Sequence, residues 1–269
     1  MEAASETGHR AAGRRGRLAA ALRPAHVQAH RAGEYVGQES FISAGEILDL
    51  AQAAGVDART RVLDLCCGSG GPALHLARQM GCRIVGVDRS SEAIHLARAS
   101  AEHQGLDRCA TFIVSDALCP PIDAASFHVV LLYETMLAFE DKRRLLYVVH
   151  KLLRPCGRFG LTLGAGRSLS GAERGCVPAG EEVWLVPEGR FRVLLEATGF
   201  RVRWVEDYTA AHAEVARRLA VAFRRDRAAI ARAVGAQACN ELVMAHERWV
   251  EWLNARRVQK LAVVAQRSY

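Results

Sequence analysis

Lysine is scarce in this chain. Lys142, Lys151 and Lys260 are the only three among 36 basic residues in a length of 269. The remainder are arginines, and alanine is abundant, a usage that reflects a GC-rich coding sequence and accounts for part of the net charge of +7. There is also no concentrated basic face. The arginines gather between Arg10 and Arg31 and again between Arg217 and Arg257, while the middle of the chain is nearly balanced. That placement argues against a dedicated nucleic-acid surface. No stretch approaches the ~20 apolar residues that span a bilayer. No apolar segment of the secretory kind follows Met1. A soluble, cytoplasmic protein with no membrane partner is expected. The eight cysteines include no C-x-x-C pair and no zinc spacing, so neither a metal site nor a disulfide framework is expected. Cys66 and Cys67 are neighbours, which disfavours a bridge between them. Most cysteines lie in or beside apolar runs and read as small buried hydrophobes in a reducing compartment. No internal repeat is present.

What is present is alternation. Residues 1–33 read as a flexible basic tail, with a helix over "RLAAALRPAHVQAH" as far as its proline. From Ser43 the pattern sharpens. "SAGEILDLAQAAG" is helical, with Ser43 and Glu46 spaced as a capping box and Gly55 closing it. "RVLDL" is a buried strand. Helix and strand then alternate through "PALHLARQMG", "RIVGVD", "SSEAIHLARASAEHQG", "ATFIVSD", "FHVVLLYE", "DKRRLLYVVHKLLRPCG" and "RFGLTLGA". The segment "GRSLSGAERGCVPAGEEVW" reads as a loop. "EGRFRVLLEATG" follows as a helix and "FRVRWVEDY" as a strand. Residues 210–256 hold two long helical patterns split near Gly235 and read as an inserted helical cap. "QKLAVVAQ", within 257–269, is the final strand. Strict strand–helix alternation predicts an α/β fold with a doubly wound, mostly parallel seven-stranded sheet over residues 34–209 and 257–269.

Ligands of open α/β sheets bind beyond the carboxyl ends of the strands. Successive strands here deliver Asp64, Asp88, Asp116 and Glu134 to that edge. Four carboxylates at matching positions make a polar rim around a ligand; the plainer reading is that each caps a following helix. The loop Gly68-Ser69-Gly70-Gly71 also fits a relaxed dinucleotide fingerprint, with Asp88 where a ribose-binding acid would sit. Asp64 separates the two readings. It lies four residues before the first glycine, where a pyrophosphate would meet its negative charge. A ligand with a positive group suits it better, and the "SDAL" that follows the third strand suits an exocyclic amine.

In order, "VLDLCCGSG", "VGVDRS", "VSDALCPP" and "LRPCGRFGL" resemble the motifs of class I S-adenosylmethionine (SAM)-dependent methyltransferases, over roughly residues 35–205. The resemblance implies a Rossmann-like fold and SAM as cofactor. It implies that Gly68 and Gly70 admit the methionine moiety and that Asp64 binds its ammonium. By the same resemblance Asp88, beside Arg89, takes the ribose hydroxyls, and Asp116 with the backbone of Ala117 and Leu118 holds the adenine. It assigns Cys66 and Cys67 no catalytic role, leaving them to packing. Upstream, "YVGQESFIS" resembles the segment that closes over the cofactor in phosphobase and sarcosine-like N-methyltransferases, which implies contacts from Tyr35, Phe41, Ile42 and Ser43. The sequence departs from the phosphobase pattern near Ala138, where those enzymes carry a histidine, so their acceptor is not implied.

Methyl transfer is an in-line displacement that rests on holding donor and acceptor together and excluding water. A base is needed only where the acceptor loses a proton. Candidates are Glu134, which also stands beside the cofactor, His212 and Tyr35, with Tyr133 and Glu206 behind them. His246, Trp249 and Trp252 recur at near-helical spacing and read as cap core more readily than substrate lining. A capped mouth predicts a small-molecule acceptor in biosynthetic or secondary metabolism. An RNA or protein substrate, and a SAM-binding enzyme that cyclises or rearranges without methylating, are the alternatives. Homo-oligomer formation is left open.

Overall fold

The computed structural model describes residues 20–177 and 182–268. They form one seven-stranded sheet in the order β3-β2-β1-β4-β5-β7-β6. The strands are β1 (Arg61–Leu65), β2 (Arg83–Asp88), β3 (Ala110–Val114), β4 (Phe127–Leu132), β5 (Leu153–Ala165), β6 (Phe200–Asp207) and β7 (Gln259–Arg267). The first five pair in parallel. β7 slots antiparallel between β5 and β6. The expected doubly wound, mostly parallel architecture is therefore present.

The helices are α1 (20–29), then α2 (Ala44–Ala53), α3 (Gly71–Met80), α4 (Ser91–His103), α5 (Lys142–Leu152), α6 (Gly171–Arg174), α7 (Glu188–Ala197), α8 (Thr209–Arg225), α9 (Arg227–Val234) and α10 (Ala236–Asn254). Successive strand residues face opposite sides of a sheet, and β1 shows the result. Val62 joins the core beneath α2, α3 and α4. Leu63 and Leu65 join the core on the other side, with α5 and α7. Burying both faces explains why these strands read as continuous apolar runs. A third cluster unites Leu22, Ala25 and Ala29 of α1 and Phe41 with apolar residues of α8, α9 and α10.

Four local readings change. Residues 20–29 do not end their helix at Pro24 but run through it, because α1 buries Leu22, Ala25 and Ala29 against α8–α10. That burial outweighs the backbone bond a proline removes. This part of the stretch expected to be a tail is packed. Residues 210–255 contain a second break at Asp226, between α8 and α9. "LRPCG" is the start of β5, not the end of α5; a register shift between Phe127 and Val129 accommodates it, with Cys156 at φ 61°. Within the expected loop after β5, α6 makes a single turn capped by Ser170. Among the described residues no helix is long and apolar enough to cross a membrane.

Candidate active site

β1 and β4 are neighbours, and the chain leaves them toward opposite faces of the sheet, so a crevice opens beyond their carboxyl ends. A cavity of about 340 Å³ lies there, lined by Gly37–Ser40, Ile42, Asp64, Cys66–Ser69, Pro72, Asp88, Ser90, Glu92, Ala93, Leu96 and Tyr133–Thr135. Asp64 is the next-to-last residue of β1 and is 1% exposed. Its Oδ2 has no hydrogen-bond partner. Burial, and then the charge of Asp88, push its pKa up to about 8. A carboxylate in that setting lacks a cation.

Asp88 ends β2. Its Oδ2 accepts the Gly68 N–H at 2.9 Å and its Oδ1 accepts the Ser90 N–H at 2.9 Å. One aspartate thus ties the glycine loop to the start of α4, and each oxygen keeps a lone pair for a ligand hydroxyl. Glycine is required at two positions of the loop. Gly70 caps α3 at φ 81°, and a Cβ there would lie 2.9 Å from both Ala97 and Phe112. A Cβ on Gly71 would overlap the Val36 carbonyl oxygen, because residues 36–37 cross directly over the loop. Gln38 fixes that crossing. Its amide donates to Glu34 O and Ile42 O, each at 2.8 Å, and its Oε1 accepts the Val36 N–H at 2.7 Å. Both thiols beside the loop are suppressed: burial first, then the Asp88 and Asp64 charges, push Cys66 up to about 12 and Cys67 higher still.

Glu134 follows β4 at φ 53°, and its N–H donates to Thr162 Oγ1. Its Oε2 accepts from Lys260 Nζ at 2.5 Å. Its Oε1 lies 3.8 Å from His212 Nδ1, and neither of these two atoms has a hydrogen-bond partner. The other ring nitrogen, His212 Nε2, lies 3.1 Å from Glu46 Oε2. His212 is wholly buried. Burial alone would raise the Glu134 carboxyl, but Lys260 and His212 hold it below the ordinary value. The Lys260 ammonium also sits 5.5 Å from the Phe41 ring and 5.3 Å from that of Trp249.

The structure brings Ile42, Asp64, Gly68, Asp88 and Glu134 to one cavity wall, and places His212 directly behind Glu134. Other expected residues lie elsewhere. Tyr35 packs on His26 and His30. Phe41 turns toward His212, His246 and Trp249. The Ser43 hydroxyl caps α2. Arg89 and Asp116 are exposed, Ala117 is buried and Leu118 half-buried, all outside the cavity lining, although the Asp116 charge reaches the Cys66 thiol and its Oδ1 accepts the Leu118 N–H. Glu206 is exposed on β6. Trp252 is buried with Leu169, Leu185 and Val258, as a cap-core residue would be. Sequence reasoning missed Gln38, Glu92, Lys260 and the second role of Glu46. Lys260 alone carried a signal, as a lysine opening an otherwise apolar final strand.

Residues 62–157 match the model of the methyltransferase domain family. The methyltransferase GfsG of Streptomyces halstedii is 32% identical over 125 residues, 46% of this chain and 45% of GfsG. The chain thus spans less than half the length of that curated relative. Among solved structures, geranyl diphosphate C-methyltransferase of Streptomyces coelicolor A3(2), bound to S-adenosyl-L-homocysteine, superposes with a TM-score of 0.68 at 16% identity, over 84% of this chain and 78% of that one. The cyclase SpnF superposes at 0.70 with 20% identity, over 84% and 81%. The fold is therefore the Rossmann-like fold of these solved structures, and the match to a methyltransferase domain falls on residues 62–157, which include the glycine loop. Over residues 62–157 the chain is similar to methyltransferases, and one solved neighbour, geranyl diphosphate methyltransferase, is a complex with SAM. The site fits that molecule: Asp64 offers an unpartnered buried carboxylate oxygen to an ammonium, and open space lies where Gly68 would carry a side chain.

Proposed function

We propose that this protein methylates a small-molecule acceptor in biosynthetic or secondary metabolism, working in the cytoplasm. The observation that carries the reading is the unpartnered, buried Asp64 oxygen facing the same cavity as Asp88. Bound there, SAM supplies an electrophilic methyl group on a sulfonium. The residues of this chain bind, orient and exclude water. Asp64 takes the ammonium, Asp88 the ribose hydroxyls, and the loop at Gly68 and Gly70 lets the backbone approach. Asp116, Ala117 and Leu118, with Arg89 nearby, serve the adenine end. The segment 34–43, including Tyr35, Phe41 and Ser43, serves as a strap. Gln38 holds it over the glycine loop and Ile42 faces the cavity. Glu134 and His212 serve the acceptor. The core spans 34–209 with the strand in 257–269, residues 210–256 cap its mouth, and α1 packs against that cap. An enclosed mouth suits a small acceptor better than RNA or protein.

The test is transfer from methyl-labelled SAM into a size-fractionated extract of the source organism. Label in the small-molecule fraction is expected, and the mass shift identifies the acceptor. Label in RNA or protein overturns the acceptor class. SAM binding with no transfer to any fraction overturns methylation and favours a cyclising or rearranging enzyme.

A further inference from the structure

One wall of the cavity is left unassigned by the motifs. Ser90, Glu92, Ala93 and Leu96 line it from the cap and first turns of α4, and residues 92 and 96 are one helical turn apart on a common face. Glu92 Oε2 is buried and has no hydrogen-bond partner among the described residues. Leu96 is 45% exposed. The residues expected at the adenine end, Arg89 and Asp116 to Leu118, lie outside this lining, and Asp116 Oδ1 already accepts the Leu118 N–H at 2.8 Å. Sheet order decides which end of a ligand the α4 wall meets. With the β1 loop at the methionine moiety and Asp88 of β2 at the ribose, the base is left on the side of β3, the next strand outward. α4 is held on that side. Its Ile94, Ala97 and Ala101 pack with Ala110 and Phe112 of β3, and Arg98 donates twice to the Phe112 carbonyl oxygen, at 3.0 and 2.6 Å.

We propose that Glu92 reads the exocyclic amine of the adenine of SAM, while Ala93 and Leu96 carry one face of the ring. The inference rests on the cofactor reading above and adds a residue that no motif supplies. Both oxygens of Asp88 already accept backbone N–H groups, so the lone pairs left on them are taken up by the two ribose hydroxyls. The amine is the remaining donor of the nucleoside. Glu92 Oε2 is the unpartnered buried oxygen on this side of the cavity. A carboxylate only accepts, so it suits the amine and not a ring nitrogen with a lone pair. The start of α4 favours a negative charge, because the unpaired N–H groups of a helix lie in its first turn. Leu96 offers apolar surface that otherwise faces water, and covering it strengthens binding without distinguishing one purine from another. Glu92 therefore supplies the selectivity of this wall and Leu96 its contact area.

The test is a thermodynamic cycle by titration calorimetry and needs no turnover. The unaltered protein and Glu92→Ala are each titrated with S-adenosylhomocysteine and with its analogue carrying hydrogen in place of the 6-amino group. Loss of the amine is expected to weaken binding to the unaltered protein about 10-fold or more. In Glu92→Ala the same loss should cost no more than about twofold. Glu92→Gln keeps an acceptor oxygen and should restore part of the ratio, whereas Asp116→Asn should shift both Kd values together. Denaturant unfolding checks that each variant is folded. An equal loss in the unaltered protein and in Glu92→Ala overturns the proposal. So does a loss that disappears in Asp116→Asn instead, or coupling of Glu92 to the ribose as read with the 2′-deoxy analogue. These outcomes leave the cofactor reading standing. Failure of the unaltered protein to bind either SAM or S-adenosylhomocysteine overturns both.

Discussion

Asp64→Asn separates stability from binding. The folded carboxyl titrates near 8 and the ordinary value is 3.8. The folded protein therefore holds a proton that the unfolded chain loses as pH rises through that interval. This contribution is fully present below about pH 4 and is lost progressively up to about pH 8. Four units correspond to about 6 kcal/mol at the full shift. Water reaching the cavity and local relaxation reduce what unfolding reads, so a gain of about 2 to 4 kcal/mol for ligand-free Asp64→Asn at pH 9 is expected, with a much smaller difference at pH 4. SAM binding should move the other way, since the ammonium loses its carboxylate. The unaltered protein should also expel protons on binding. With a pKa near 8, roughly 0.9 of a proton resides on Asp64 at pH 7, and an arriving cation displaces it. Urea unfolding at the two pH values reads the first effect; calorimetry in buffers of different ionisation enthalpy reads the second. Equal stability of the two proteins at pH 9, together with no proton release, would refute the claim that Asp64 is a desolvated carboxylate awaiting a cation.

Gly71→Ala should weaken SAM binding at least tenfold, by forcing Val36 O, and the strap with it, away from the glycine loop; an unchanged Kd by titration removes the strap from the site. Glu134→Gln leaves the buried Lys260 ammonium without its counter-ion and should cost about 3 to 5 kcal/mol in denaturant unfolding, most of it recovered in the double variant with Lys260→Met; equal loss in both counts against the pairing. Asp88→Ala should abolish SAM binding while the far-ultraviolet circular dichroism stays native. Alkylation by iodoacetamide at pH 8 should modify exposed Cys119 first and leave Cys66 and Cys67 unreacted; mass spectrometry of early peptides checks the order, and early labelling of either loop thiol would show that burial does not suppress it.

Much of the candidate site was legible because it is local. Asp64, Gly68 and Asp88 lie at the ends of strands that their own apolar runs announce, and strand ends share one edge in a parallel sheet. The Ser43–Glu46 capping box was legible for the same reason, as its partners are three residues apart. The strap was only half legible. The approach of residues 36–37 to Gly71 is a contact between segments more than thirty positions apart, and no periodicity encodes it. The helix through Pro24 was misjudged because local propensity speaks against it, whereas burial against α8–α10 decides it.

The amino-acid sequence alone determined the alternating α/β core, the order of its strands along the chain and the carboxylates at their ends, because hydrophobic period and turn chemistry act over a few residues. Tertiary structure decided the rest. Antiparallel insertion of β7 between β5 and β6 carries Lys260 to the same edge as Glu134, 126 positions away. Packing of α8 over the strap brings His212 to Glu46 across 166 positions. A capping glutamate, a lone histidine and a strand lysine read separately as ordinary residues. Enclosed together away from water, they become one coupled charge network, since only burial makes their charges depend on one another.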